Sequence, residues 1–233
     1  MLRFPVLAAV VLLSACGPSI NPAMQQATDH LIGSYSSAVN VGAPSSYTPR
    51  EWKAGQWIAF RTTEPGKPPS VTIYKVLAID ASGYWVETEM QSYYGRSIMK
   101  ANYTHIPKTA SEVMEVLKKV VMQRNDEPVQ EIDFASHPMG DIMKASMKHI
   151  ASDLAVPTDV SNHPKETVTV AAGSFSGAAK FEASYTFGPI TRSVTAWFHP
   201  AVPLNGNVKA VDEKGWIYEL LAFGDEGATS ALP

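Results

Sequence analysis

The chain has one cysteine, Cys16, in 233 residues. A single thiol excludes an internal disulfide framework and a zinc site built on several thiolates. No long apolar run follows the one at residues 6–13, so no membrane-spanning helix of roughly 20 residues is expected in the body of the chain. Basic tracts, low-complexity stretches and internal repeats are missing too. Lys and Arg number 19 against 22 Asp and Glu. Residues 1–15 carry Arg3 as their one charged side chain, and without them 18 basic groups face 22 acidic ones, a net of −4. Such a balance offers no electrostatic footprint for a nucleic-acid partner, and none is expected. Phosphate-binding loops and dinucleotide fingerprints are absent, and no cofactor is expected.

What is present starts with the first 16 residues. Met1-Leu2-Arg3 is a minimal basic start, and Val6 to Leu13 is an apolar run of eight residues. Leu13-Ser14-Ala15 then leads straight into Cys16. A run this short suits a signal peptide and not a spanning helix. With Leu at −3, small residues at −2 and −1 and Cys at +1, the segment resembles the lipobox of bacterial lipoproteins. That resemblance implies alkylation of the Cys16 thiol by diacylglycerol, cleavage before Cys16 and frequent acylation of the new amine. Two or three acyl chains, at about 0.8 kcal/mol per buried CH₂, hold a protein on a bilayer far more firmly than one. Gly17 stands where an Asp usually retains such proteins in the inner membrane, so the resemblance implies the outer membrane, with the body in the periplasm. The other readings are an ordinary cleaved signal with a free Cys16, or an uncleaved anchor.

Residues 16–50 are expected to hold the lipidated cysteine, a short helix and a linker. Asn21-Pro22 reads as an N-cap and a first helical position. Met24, Ala27, Leu31 and Tyr35 follow at helical spacing, predicting a helix over about 22–37. Pro, Ser and Gly across 39–50 predict the linker.

A β-rich body is expected over 51–224, and a tail over 225–233. Gln56–Thr63, a second strand around Val71–Ile79, Tyr84–Gln91 and Ser97–Thr104 predict four strands joined by short turns, an antiparallel meander. Over 109–124, Val113, Val116, Leu117, Val120 and Val121 sit at helical spacing. Leu117–Gln123 and Val129–Ile132 also flank Asn125-Asp126 as a hairpin would, so a short helix running into a hairpin is expected. Asp141–Leu154 predicts a second amphipathic helix, ended by Pro157. Strands return at Thr167–Ala171, around Phe181–Phe187, at Thr191–His199 and at Trp216–Phe223, with Gly173 and Gly177 in a turn. These elements predict an α+β fold: a curved antiparallel sheet of about eight strands, half-barrel-like, with helices covering one face.

Several local patterns resemble the envelope proteins of the LolA/LolB-like half-barrel type. They are Gly55-Gln56-Trp57-Ile58-Ala59-Phe60, Tyr84-Trp85-Val86-Glu87-Thr88-Glu89, Ala172-Gly173-Ser174-Phe175 and Val202-Pro203-Leu204-Asn205-Gly206-Asn207-Val208. The resemblance implies a concave sheet face, closed by helices, that can hold acyl chains. It carries over no individual ligand-binding residue.

Candidates for chemistry are few. The six histidines, His30, His105, His137, His149, His163 and His199, form no His-x-x-x-His pair. Asp141 and His149 would share a helix face but stand roughly 12 Å apart, so no metal is expected. Gly173-Ser174-Phe175-Ser176-Gly177 has Phe where a nucleophile elbow needs Ser. Glu87 and Glu89 share a strand face with Trp85, a pair able to do acid–base work but expected on the solvated side of the sheet. No catalytic residue is assigned and the chain is expected not to be an enzyme. Two functions remain: an anchored module binding a hydrophobic ligand such as a lipid or acyl chain, and a structural or assembly component of an envelope protein complex.

Overall fold

The computed structural model describes residues 19–35, 38–108, 112, 115–134, 136, 160–187 and 190–232. In chain order the elements are α1 (Pro22–Ser34), β1 (Val39–Val41), β2 (Trp57–Thr63), β3 (Ser70–Asp80), β4 (Gly83–Ser92), β5 (Gly95–Tyr103), β6 (Leu117–Arg124), β7 (Gln130–Asp133), β8 (Lys165–Val170), β9 (Gly173–Phe187), β10 (Ile190–Phe198), β11 (Asn207–Asp212) and β12 (Ile217–Gly224). They form one open sheet in the order β1-β9-β10-β11-β12-β2-β3-β4-β5-β6-β7, with β8 pairing β9.

The expected meander is present as β2–β5. Its turns have local causes. At the β3–β4 turn the Asp80 carboxylate accepts the Ser82 N–H at 2.7 Å and the Ser82 hydroxyl at 2.6 Å. The β6–β7 hairpin also forms, with Asn125 in the left-handed region at φ 50°.

The α+β expectation is overturned. Strands make up 51 % of the structure and helical residues 9 %, and among the described residues no layer of helices covers a face of the sheet. Part of the cause lies in 109–124. Helical backbone stops at Val116, and from Leu117 the chain is strand β6, paired along β5. Val120 and Val121 are β-branched, which favours the pleated surface over the helix. The expected helix at 141–154 lies outside the described residues.

The sheet also has more strands than the eight expected. Val39–Val41, read as linker, runs parallel to β9 in register with Gly173–Phe175. Gly173 permits this approach: at φ +130° it has no Cβ, and one there would run into the Val39 backbone. Gly177 lies inside β9 and not in a turn; the turn is at 171–172. Strand β11 was hidden behind Pro200, Pro203 and Gly206. Its inward positions Val208, Ala210 and Asp212 are buried, and two of the three are small or charged, a weak apolar signal.

Alternation along β2 separates two layers. Ile58 and Phe60 enter a large core, while Ala59 enters a smaller one on the opposite face. The large core joins Val86, Ala101 and Val120 from β4–β6 to Phe175, Val208 and Leu220 from β9, β11 and β12. One cluster shared by distant strands means that the sheet curls over its own apolar face. The smaller core, with Val71, Ile73 and Leu221, is covered by Leu31, Ile32 and Tyr35 of α1 and its C-cap. The helix starts where expected, with the Asn21 side chain accepting from Ala23 N at 3.0 Å. Of its expected apolar face Ala27 is exposed, and Thr28 is the buried residue.

Candidate functional site

The outer face of β3–β5 carries the densest polar cluster among the described residues. Register sets Lys75 opposite Glu87, and Glu87 opposite Lys100 on the next strand. Lys75 Nζ lies 2.9 Å from Glu87 Oε1 and 2.9 Å from Glu89 Oε2. Arg96 reaches Glu89 Oε1 through Nε at 2.8 Å. The Lys100 ammonium lies over the Trp85 ring, 5.3 Å from its centroid.

Glu87 and Glu89 thus share a face, as their spacing predicted, but that face is not solvated. The Glu87 side chain is 0 % exposed and that of Glu89 12 %. Two segments cover them. Ser230 Oγ donates to Glu87 Oε2 at 2.8 Å, and the Ala231 N–H donates to Glu87 Oε1 at 2.9 Å. On the other side α1 packs down, with Gln91 Nε2 donating to Thr28 Oγ1 at 3.4 Å. Sequence periodicity could not show this, because the cover comes from parts of the chain over 50 residues away on one side and 140 on the other.

The electrostatics are those of a closed ion network. Burial pushes the Glu89 carboxyl up, but hydrogen bonds and charge from Lys75 and Arg96 outweigh it and hold the group below its ordinary range. Tyr35, above Glu89, is pushed up to about 12, first by burial and then by the Glu89 charge. A general acid needs a raised carboxyl, and a general base needs a free lone pair facing substrate. Glu89 lacks the first, and Glu87 spends its oxygens on Lys75, Ser230 and Ala231.

The curled face of the sheet is the second place where a ligand was expected. Its aromatic side chains pack on one another. Phe60 stacks on Tyr218 with centroids 4.2 Å apart and meets Tyr74 edge-on at 6.3 Å. Phe175 lies 6.1 Å from Phe223 and 5.6 Å from His199. Around this packed centre Tyr84, Ile106, Met122, Phe181 and Trp216 are half-buried. Gln56, fully buried at the entry to β2, has an Nε2 with no hydrogen-bond partner among the described residues.

The structure separates the histidines. His30 is exposed on α1 and His163 in the bend before β8, while Cys16, His137, Asp141 and His149 lie outside the described residues. His199 is buried and locked in place: Nδ1 accepts the Ala201 N–H at 3.2 Å, so Nε2 donates to Gly42 O at 3.2 Å. Burial lowers its pKa, against the pull of backbone carbonyls at Gly42 and Ser176. His105 forms a chain that sequence reading missed: Thr104 Oγ1 to Nδ1 at 2.9 Å, and Nε2 to Glu112 Oε1 at 2.9 Å. Glu112 also accepts the Lys108 N–H at 2.8 Å. With His105 57 % exposed, the chain is solvated and serves to clasp the loop that follows β5. Ser174 and Ser176 lie within strand β9, so no strand-to-helix turn presents either as a nucleophile. No group of three or more His, Cys, Asp or Glu placed to hold a metal occurs among the described residues, and none of their helices is long and apolar enough to cross a membrane.

No family model matches the chain, and no curated protein matches it either.

Proposed function

We propose that the chain is a non-enzymatic lipoprotein of a bacterial envelope. Acyl chains on Cys16 hold its β body at the outer membrane, where it works as a structural or assembly component of a protein complex. The lipobox-like Leu13-Ser14-Ala15-Cys16 supports the anchor. The single observation that carries the rest is how the polar and apolar faces are spent. The charged cluster of β3–β5 is consumed internally, and the centre of the curled face is filled by Phe60, Tyr74, Tyr218 and Phe175. A protein with its chemistry used up in this way acts through its surface.

A second reading keeps a hydrophobic ligand, such as a lipid or acyl chain. The Gln56 Nε2, which has no partner among the described residues, favours it, since a buried donor calls for an acceptor. Gentle extraction of the full chain, followed by native mass spectrometry and identification of cross-linked proteins, separates the two. A partner protein at fixed stoichiometry with no bound lipid supports assembly. A stoichiometric lipid with no partner overturns it in favour of carriage.

A further inference from the structure

The segment after β12 doubles back over the Lys75–Glu87–Glu89 cluster, and its contacts are those of a ligand. Asp225 pairs with Arg50. Glu226 O accepts the Trp57 Nε1–H at 3.1 Å, and the Ala228 N–H donates to Gly55 O at 2.9 Å. Ser230 and Ala231 then close on Glu87, and Leu232 is buried beyond them.

Glu87 explains why something must lie there. On the sheet alone it is an outward-facing residue of β4 with Lys75 as its ion-pair partner. Burying a carboxylate is costly unless donors meet its lone pairs. The segment brings two of them from consecutive residues, a hydroxyl and the next backbone N–H. It does so without helix or strand pairing of its own, and it bends at Gly227, φ +93°. Chain held by spaced polar contacts opens at lower free energy than the sheet beneath it.

We infer that the outer face of β2–β4 is a peptide-docking groove, and that residues 225–232 are its resident, exchangeable occupant. The ligand class is an extended peptide that offers a hydroxyl-bearing residue followed by a free backbone N–H. Glu87 accepts from both donors, the Trp57 Nε1–H donates to a carbonyl, and the Gly55 carbonyl accepts an N–H. The groove belongs to the folded body and does not depend on what happens at Cys16.

The test uses the full chain and a fluorescent peptide with the sequence of residues 225–232. In the full chain, Ala231→Pro removes the N–H that caps Glu87 and loosens the resident segment. Apparent affinity for the added peptide rises with the open fraction, by about tenfold or more for one charge-assisted hydrogen bond. Replacing the serine of the added peptide by alanine weakens its binding to that variant by about tenfold. Equal binding by wild type and variant, or binding by neither, overturns the inference. If the variant does not fold, amide exchange of the unaltered chain decides. The Ala231 N–H is expected to exchange at least about 100-fold faster than Val86 in β4, whereas equal rates for the two overturn the groove.

Discussion

Removing the Lys75 ammonium while keeping its stem, as Lys75→Met, is expected to destabilise the fold by about 3 kcal/mol. Lys75 Nζ lies 2.9 Å from both Glu87 and Glu89. Deleting one partner of a buried pair costs about 3–5 kcal/mol, because a charge is left uncompensated. Glu87 keeps the Ser230 and Ala231 donors and Glu89 keeps Arg96, which sets the expectation at the lower end. For a chain of this length the loss corresponds to a fall in melting temperature of about 6–12 °C. Urea unfolding of both proteins at neutral pH measures it. The double variant Lys75→Met/Glu87→Gln removes both charges and is expected to recover at least about 1 kcal/mol relative to Lys75→Met alone. The pH dependence carries a second signature. The Glu89 carboxyl sits below its ordinary value of 4.5 in the fold. Its stabilisation is therefore present above that value and lost as pH falls through the folded-state pKa. Lys75→Met abolishes part of that contribution, so the gap between the two proteins narrows on acidification. A loss under about 0.5 kcal/mol, or a gap that widens in acid, would refute a closed ion network on this face.

Two further outcomes concern the cores. Phe60→Ala removes a buried ring stacked on Tyr218 and is expected to cost about 3–5 kcal/mol in the same urea assay; a loss below 1 kcal/mol would mean that the curled face has room to spare. His199 has a folded-state pKa below its ordinary 6.5. Its contribution is full above that value and is lost as pH falls toward the folded-state pKa, because the unfolded chain takes up the proton first. Wild type is therefore expected to lose stability below pH 6.5 more steeply than His199→Gln, as followed by thermal melts between pH 5 and 8.

Local signals carried much of the fold. Asn21-Pro22 marked the helix start, and the Gly and Pro turns marked the β2–β5 meander, because caps and turns depend on neighbouring residues alone. Long-range pairing was not legible. Nothing local in Val39–Val41 announces that it lies along Gly173–Phe175, and the buried face of β11, Val208, Ala210 and Asp212, is too small and polar to stand out. At 117–121 the helical spacing and the β-branched character of the same valines disagreed, and pairing with β5 decided the outcome. The same limit applied to the charged cluster. Glu87 and Glu89 were correctly placed on one face with Trp85, but their burial depends on α1 and on residues 225–232. The Thr104–His105–Glu112 chain was missed because its last link spans a loop with no spacing rule.

The proposed membrane attachment rests on one sulfur atom. The most direct measurement is the intact and fragment mass of the chain purified from membranes of its own cell type. The expected result is an N-terminal peptide beginning at Cys16, with a diacylglyceryl group on the thioether. A peptide that contains Cys16 as a free thiol, with the preceding residues still attached or cut elsewhere, would contradict it.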